Sequence, residues 1–422
     1  MLIAKKPTQS IFPKRRSTKV SVVVRDNESV CHDTSSRQEL IGGLKLNTCI
    51  LHLGTSKTGT TSLQTTLRTR LSDPHFCWLS GDGITGPFEL LNMFAQDPHQ
   101  VENHLNSSAQ RQKLAKTHLL REFDRRLQVA VRENRTPILS SEYAYRLSPS
   151  DFTAIREFLT QRGFVTRICV YLRPHHDWAE SSFQQHVKNK KSVTDFDYFR
   201  NRLQTRTFDH LERLTTLHEI FGSQNVDAFV FNPKTFPNRC SVMHFCTHYG
   251  IAMSNEQVLK SNEGLNRSVL SLLIAWILYG KQASGRLQTL QRDLLLGKLR
   301  TLKGPRFEVH EDLIRDRLDG HESQRGQVER ILGQEFPPSF RQRNPNTAIQ
   351  SMEELLDYPQ DVMSWLADAT GKPPLPPGQG LEKARCVAEQ MQSLRLFSNL
   401  NLLAKTIQRR VNLRRISHQS GV

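Results

Sequence analysis

Nine residues near the amino end, Gly54-Thr55-Ser56-Lys57-Thr58-Gly59-Thr60-Thr61-Ser62, place two glycines, one lysine and six hydroxyls between an apolar run and a leucine pattern of helical spacing. Such a segment can turn successive backbone N–H groups inward and open a helix at its far end, which together make a cradle for an anion. A nucleoside-triphosphatase loop reads G-x-x-x-x-G-K-[ST]. Here the spacing from Gly54 to Gly59 fits, but Thr60 stands where the lysine belongs and Lys57 lies inside the loop. That displacement puts the ammonium on the other side of a bound phosphate, away from a β/γ bridge with Mg²⁺. Thr60 and Thr61 add hydroxyl donors at the helix start. The plain alternative is a Gly/Thr turn joining a strand to a helix.

Two more constellations follow in chain order. Arg173 closes the apolar run Ile168-Cys169-Val170-Tyr171-Leu172, and Ser181 comes eight residues later in a segment opening with Asp177-Trp178-Ala179-Glu180. A guanidinium fork at a strand end with a hydroxyl on the first helical turn makes a phosphate clamp; taken alone, the pair reads as a surface arginine and a helix-cap serine. Between loop and clamp, Ile138-Leu139-Ser140-Ser141 ends in Glu142. A carboxylate at the C-terminal edge of a strand faces the ligand crevice of an α/β sheet, although a helix cap or ion pair is an equal use for it.

The elements needed to position these groups are written in the hydrophobic pattern. Cys49-Ile50-Leu51-His52-Leu53 suits a buried parallel strand, and Leu63, Leu67 and Leu71 mark a helix from Ser62. A helix carrying Leu119, Phe123, Leu127 and Val131 precedes the strand at 137–140. Then come a helix (Phe152–Leu159), a strand (Arg167–Leu172), a helix (Asp177–Lys188), a helix (Leu211–Phe221) and a strand (Val226–Phe231). Alternating strands and helices give an α/β class with a central parallel sheet flanked by helices. The division expected is a flexible basic arm at 1–45, the α/β domain at 46–300, a helical extension at 301–372, a Pro/Gly linker at 373–380 and a basic amphipathic helix at 381–422. Val269–Tyr279 reads as a buried helix and Ser351–Leu366 as an amphipathic one. The last helix, with Leu396, Leu400, Leu403, Ile407 and Val411 on one side, either docks on the core or makes peripheral contact with an anionic membrane surface.

Leu51 through Leu63 resembles the 5′-phosphosulfate loop of sulfotransferases that use 3′-phosphoadenosine 5′-phosphosulfate (PAPS), nearest in wording to the carbohydrate and bacterial branches. The Arg173 and Ser181 spacing is similar to that family's 3′-phosphate clamp. The resemblance covers about Cys49 to Ile251. It implies a P-loop-type three-layer fold and PAPS as donor co-substrate, with no metal. Lys57 would hold the bridging oxygen, and Thr58, Gly59, Thr60, Thr61 and Ser62 the 5′-phosphate. Arg173 and Ser181 would take the 3′-phosphate, and Glu142 would be the base that deprotonates the acceptor. The acceptor implied is a hydroxyl or amine of a carbohydrate, lipid or small molecule; Trp78, Gly81, Gly83, Phe88 and the His and Asn residues within 72–112 suit an acceptor-side insertion for a polyhydroxylated compound and equally a plain loop region. The family's late R-K-G element has only Lys303-Gly304 as an echo, to which no role is carried.

Composition narrows the field further. The chain has 422 residues and 37% hydrophobic content, enough for a sizeable core, and a net charge of +17. Residues 1–20 hold six basic and no acidic residues, and 381–422 hold eight basic and two acidic, so 12 of the 17 excess charges sit at the ends. The middle is near balance, which argues against a specific nucleic-acid partner. The longest apolar run, Val269 to Tyr279, is 11 residues, short of the roughly 20 that a membrane span needs. Seven scattered cysteines and no leader-like start suggest a reduced, cytoplasmic protein. Cys240, His244, Cys246 and His248 invite a zinc reading, but three of them share a helical face with Cys246 off it, among the core-type residues Val242, Phe245 and Tyr249. His175 and His176, just after Arg173, either line the nucleotide pocket or, the favoured reading, cap the following helix or face solvent. Two other functions remain in play: a kinase or NTPase with an atypical loop, which would bind ATP with Mg²⁺, and a non-enzymatic anion-binding module.

Overall fold

The computed structural model describes residues 40–41, 44–45 and 47–396, apart from 56, 80–88, 97–108, 189–195, 197–199, 202, 204–208, 260–263, 283–284, 340–346 and 395. Most of the basic arm and of the 381–422 helix, including Leu400, Leu403, Ile407 and Val411, lies outside the described residues. So does much of the 72–112 stretch.

Five parallel strands form the central sheet: β1 (Asn47–Leu53), β2 (Phe76–Trp78), β3 (Thr136–Ser141), β4 (Phe164–Leu172) and β5 (Val226–Val230), in the order β2-β3-β1-β4-β5. In β1, Cys49 to Leu53 are buried without a break, which is why this strand reads as a continuous apolar run rather than an alternating one. Leu51 and Leu53 point into a core shared with Phe123 and Leu127 of α3 (Ala109–Arg132), Phe152 and Ile155 of α4 (Pro149–Thr160), and Leu214 and Leu217 of α6 (His210–Phe221). Ile50 points the other way, towards Leu63 and Leu67 of α1 (Thr60–Arg70) and Val242 and Phe245 of α7 (Ser241–Tyr249). A short helix, α2 (Glu89–Phe94), adds Leu90 and Leu91 to the first face. Helices therefore cover both faces, and the α/β class expected from the sequence is the fold observed.

The register fixes what stands at the sheet's carboxyl edge. Leu53 pairs with Ser141 of β3 and with Val170 of β4, so β1 runs out between its two neighbours. The chain builds β3 on one side of β1 and β4 on the other. The loop after β1 thus sits at a topological switch point, where α/β sheets leave a crevice for ligands.

A third core joins α5 (His175–Lys188) to the later part of the chain. Trp178, Phe183 and Val187 pack with Leu270, Leu273 and Ile274 of α8 (Arg267–Tyr279), and with Leu294 and Leu295 of α9 (Gly285–Leu299). Beyond it lie α10 (Arg315–Glu322), α11 (Arg325–Leu332), α12 (Met352–Leu355), α13 (Gln360–Thr370) and α14 (Gly380–Met391). α14 is docked, with Ala384, Val387, Ala388 and Met391 buried against this core.

Three expectations are corrected. The stretch 72–112 contains the edge strand β2. The amphipathic pattern from Ser351 to Leu366 is two helices, because Pro359 lacks the N–H a helix interior needs and instead starts α13. Between them Asp357–Tyr358 pairs with Gly378–Gln379, tying the end of the Pro/Gly stretch to the helical part. Lastly, α5 begins at His175 rather than Asp177. Among the described residues no helix is long and apolar enough to cross a membrane.

Candidate functional site

The loop from Gly54 to Gly59 is held open by backbone geometry and small contacts. Gly54 N donates to Ser141 O at 3.1 Å, continuing the β1–β3 ladder one step past the strands. A Cβ on Gly54 would lie 2.5 Å from Thr60 Oγ1 and 2.9 Å from Glu142 Cα, so glycine is what lets the loop, the helix start and the end of β3 converge. Lys57 (φ 71°) and Gly59 (φ 82°) both adopt left-handed backbone. This costs the lysine something and suits the glycine. Thr55 Oγ1 donates to Tyr171 O at 2.5 Å, and Thr58 Oγ1 donates to Thr55 O at 2.7 Å. Gly59 is the residue before α1 and leaves its helix-starting position without a side-chain cap. Those first N–H groups are the ones a bound anion satisfies.

Three charged groups meet over this loop. Arg173, just past β4, turns back so that its Nη1 donates to the carbonyl oxygen of Lys57. Burial pulls the Lys57 ammonium below the ordinary lysine range; the nearby Glu142 carboxylate opposes that shift and the Arg173 guanidinium adds to it. Glu142, just past β3, and Arg173, just past β4, therefore both lie within electrostatic reach of Lys57 at one sheet edge. The arginine stands against the loop after β1 itself rather than across the sheet from it.

Ser181 sits further along α5 than the sequence suggested. With the helix starting at His175, this hydroxyl is at the seventh helical position, not on the first turn. Its face still meets the loop: Gln185, one turn on, accepts a hydrogen bond from Lys57 Nζ at 3.2 Å. Thr58 and Thr60 are buried, whereas Thr61 is exposed and Ser62 half-buried.

Several residues at the site were not singled out from the sequence. Gln185 holds the lysine. Phe231, directly after β5, has the Arg173 guanidinium 5.4 Å from its ring centre. Ser241, at the start of α7, occupies the space that a Cβ on Gly59 would need. The aromatic after a strand and the serine opening a helix were visible as local signals; that they reach the loop depends on pairings between distant elements.

Behind Arg173 lies a stack of imidazoles. His175 stacks on His210 (centroids 4.5 Å apart) and on His321 of α10 (4.3 Å). His210 Nε2 bonds the Arg173 carbonyl at 3.1 Å and its Nδ1 meets Tyr145 Oη at 3.3 Å. Burial lowers His210 to about 4, so it is neutral at pH 7 and holds the backbone at Arg173. The capping or exposed reading of His175 and His176 is thus overturned: both are buried, and His176 Nε2 bonds Val309 O at 2.9 Å. Of the zinc candidates, His244 Nδ1 bonds Tyr171 Oη at 2.9 Å and His248 lies 3.4 Å from Asp227. Among the described residues no cluster of His, Cys, Asp and Glu is arranged to hold a metal ion.

No protein-family model matches the chain. An uncharacterised protein from Archaeoglobus fulgidus is 27% identical over 137 residues, which cover 32% of this chain and 36% of that protein. The match thus spans about a third of that relative's length. Among solved structures, a sulfotransferase from Alicyclobacillus acidocaldarius is similar with a TM-score of 0.38 and 14% identity, covering 69% of this chain and 97% of that one. The sulfotransferase domain from the curacin biosynthetic pathway is similar with a TM-score of 0.33 and 12% identity, covering 69% of this chain and 99% of that one. The fold described above rests on strand order and register, not on these likenesses.

Proposed function

We propose that the chain is a sulfotransferase that moves the sulfuryl group of PAPS to a hydroxyl of an acceptor, a carbohydrate or other polyhydroxylated compound. The observation that carries this reading is the convergence of Lys57, Glu142 and Arg173 on a strand–loop–helix cradle that has no lysine at the triphosphatase position.

The residues present fit such a donor. A cradle without room for a Cβ at Gly54 or Gly59, opening on uncapped N–H groups, suits a phosphate. Arg173 adds a forked cation suited to a second phosphate, and Ser181 shares its helix face with the residue that touches Lys57. PAPS, when bound, supplies a sulfuryl group whose S–O bond to the 5′-phosphate is exchanged for one to the acceptor oxygen. Lys57 places its ammonium beside the leaving phosphate oxygen and balances the charge that collects there. Thr58, Gly59, Thr60, Thr61 and Ser62 orient that phosphate through backbone and hydroxyl donors. Glu142 takes the acceptor's hydroxyl proton. Most of the rate then comes from alignment and fixed charge rather than covalent chemistry.

The test is transfer of labelled sulfate from PAPS across a panel of sugar, lipid and phenol acceptors, with Lys57→Ala alongside. The reading expects turnover in the native chain and its loss in the variant at unchanged melting temperature. Full activity in the variant contradicts it.

A further inference from the structure

Both ends of Lys57 are held by one segment of the chain. The Arg173 guanidinium donates to its carbonyl oxygen, and the Gln185 side-chain oxygen accepts from its ammonium at 3.2 Å. Arg173 directly follows β4, and Gln185 lies on α5, which starts at His175. That helix is firmly seated. Trp178, Phe183 and Val187 are buried in the core shared with α8 and α9, and His176 Nε2 bonds Val309 O at 2.9 Å. Lys57 keeps a left-handed backbone at φ 71°, which a residue other than glycine does only where its surroundings over-determine it. Ser181 lies one turn before Gln185 on the same helical face.

A free lysine side chain carries about 2 kcal/mol of rotamer entropy. Ordered beforehand, its ammonium meets a developing negative charge without that cost. The kind of acceptor matters as much as its place. A carboxylate at position 185 would hold the ammonium but cancel its charge, whereas an amide oxygen takes one of the three N–H donors and leaves the charge standing. We propose that Gln185 is a positioning residue for transfer, an uncharged hold that sets the Lys57 ammonium beside the leaving phosphate oxygen while Arg173 grips the same residue's carbonyl. The inference rests on the sulfuryl-transfer reading and adds the residue that decides where the lysine charge stands.

The experiment compares the full native chain with Gln185→Leu and Gln185→Glu by two readouts. The first is the Lys57 amine itself, followed by ¹³C NMR after reductive methylation and assigned through Lys57→Arg. Its proton affinity is expected to fall in Gln185→Leu, which removes the acceptor, and to rise about tenfold in Gln185→Glu, which adds a negative charge. The second is transfer from PAPS. In Gln185→Leu kcat is expected to drop about tenfold with KM for PAPS unchanged. Gln185→Glu, which keeps the shape and the hydrogen bond, does not restore it; an amide with only a structural role would be replaced by Glu without loss. The proposal is overturned if Lys57 titrates alike in all three chains, or if either variant keeps the native kcat. Failure of the sulfuryl-transfer reading looks different: no chain transfers sulfate and 3′,5′-ADP binds no better than ADP, while Lys57 still titrates in the order Glu, Gln, Leu. The hold on Lys57 then stands, and its role in transfer falls with that reading.

Discussion

Arg173 donates a hydrogen bond from its guanidinium to the carbonyl oxygen of Lys57, 116 residues earlier in the chain. The contact joins the end of β4 to the loop after β1 and couples the two cations that the proposed chemistry needs. It also links the loop to the imidazole stack, because His210 bonds the Arg173 carbonyl from behind. The loop after β1, the end of β4 and the imidazole stack are thus connected through one residue.

The glycines of the loop set its stability. Gly54→Ala forces a Cβ against Thr60 and the Glu142 backbone and is expected to destabilise the fold by about 1–3 kcal/mol. Gly59→Ala must hold a left-handed backbone at φ 82° and displace Ser241, at a cost of at least about 1 kcal/mol. Thermal unfolding of both variants checks this; melting temperatures equal to the native one would show that the loop is looser than described.

Glu142→Gln separates binding from transfer. Removing the carboxylate takes away the proton acceptor and leaves the phosphate donors in place. Transfer is expected to fall by about 10²–10⁴-fold, while 3′,5′-ADP binds as before. A loss confined to nucleotide affinity would instead make Glu142 an ion-pair partner of Lys57 and nothing more.

Acid should weaken the protein before its carboxylates titrate. Burial lowers His52 to about 3 and His210 to about 4, from the ordinary 6.5. As pH falls below about 6.5 the unfolded chain takes up these protons and the folded one does not. Stability is therefore fully present above that point and is lost progressively towards pH 4, by about 1 kcal/mol per pH unit for each histidine. Denaturant midpoints between pH 7 and 4 should show this slope, and His210→Phe should make it shallower. A flat profile down to pH 4 would mean that both rings take up protons in the folded chain as readily as in the unfolded one.

The sheet and the loop were legible because a strand buried on both faces writes an unbroken apolar run, as Cys49 to Leu53 does, and because the displaced Lys57 is a matter of spacing alone. The three-residue edge strand Phe76–Trp78 was not, because so short a run has no period to read. Nor were the burial of His175 and His176, which depends on packing by His321 and Val309 from far along the chain, and the Gln185 contact with Lys57, which spans 128 residues.

The central claim is that the loop and Arg173 together bind a nucleotide with phosphates at both ends of its ribose, and calorimetric titration with 3′,5′-ADP and with ADP tests it most directly. A charge-assisted contact to the extra phosphate predicts at least about tenfold tighter binding of 3′,5′-ADP, independent of Mg²⁺ and abolished by Arg173→Ala. Equal affinities, or binding that favours ATP and requires Mg²⁺, would contradict the account.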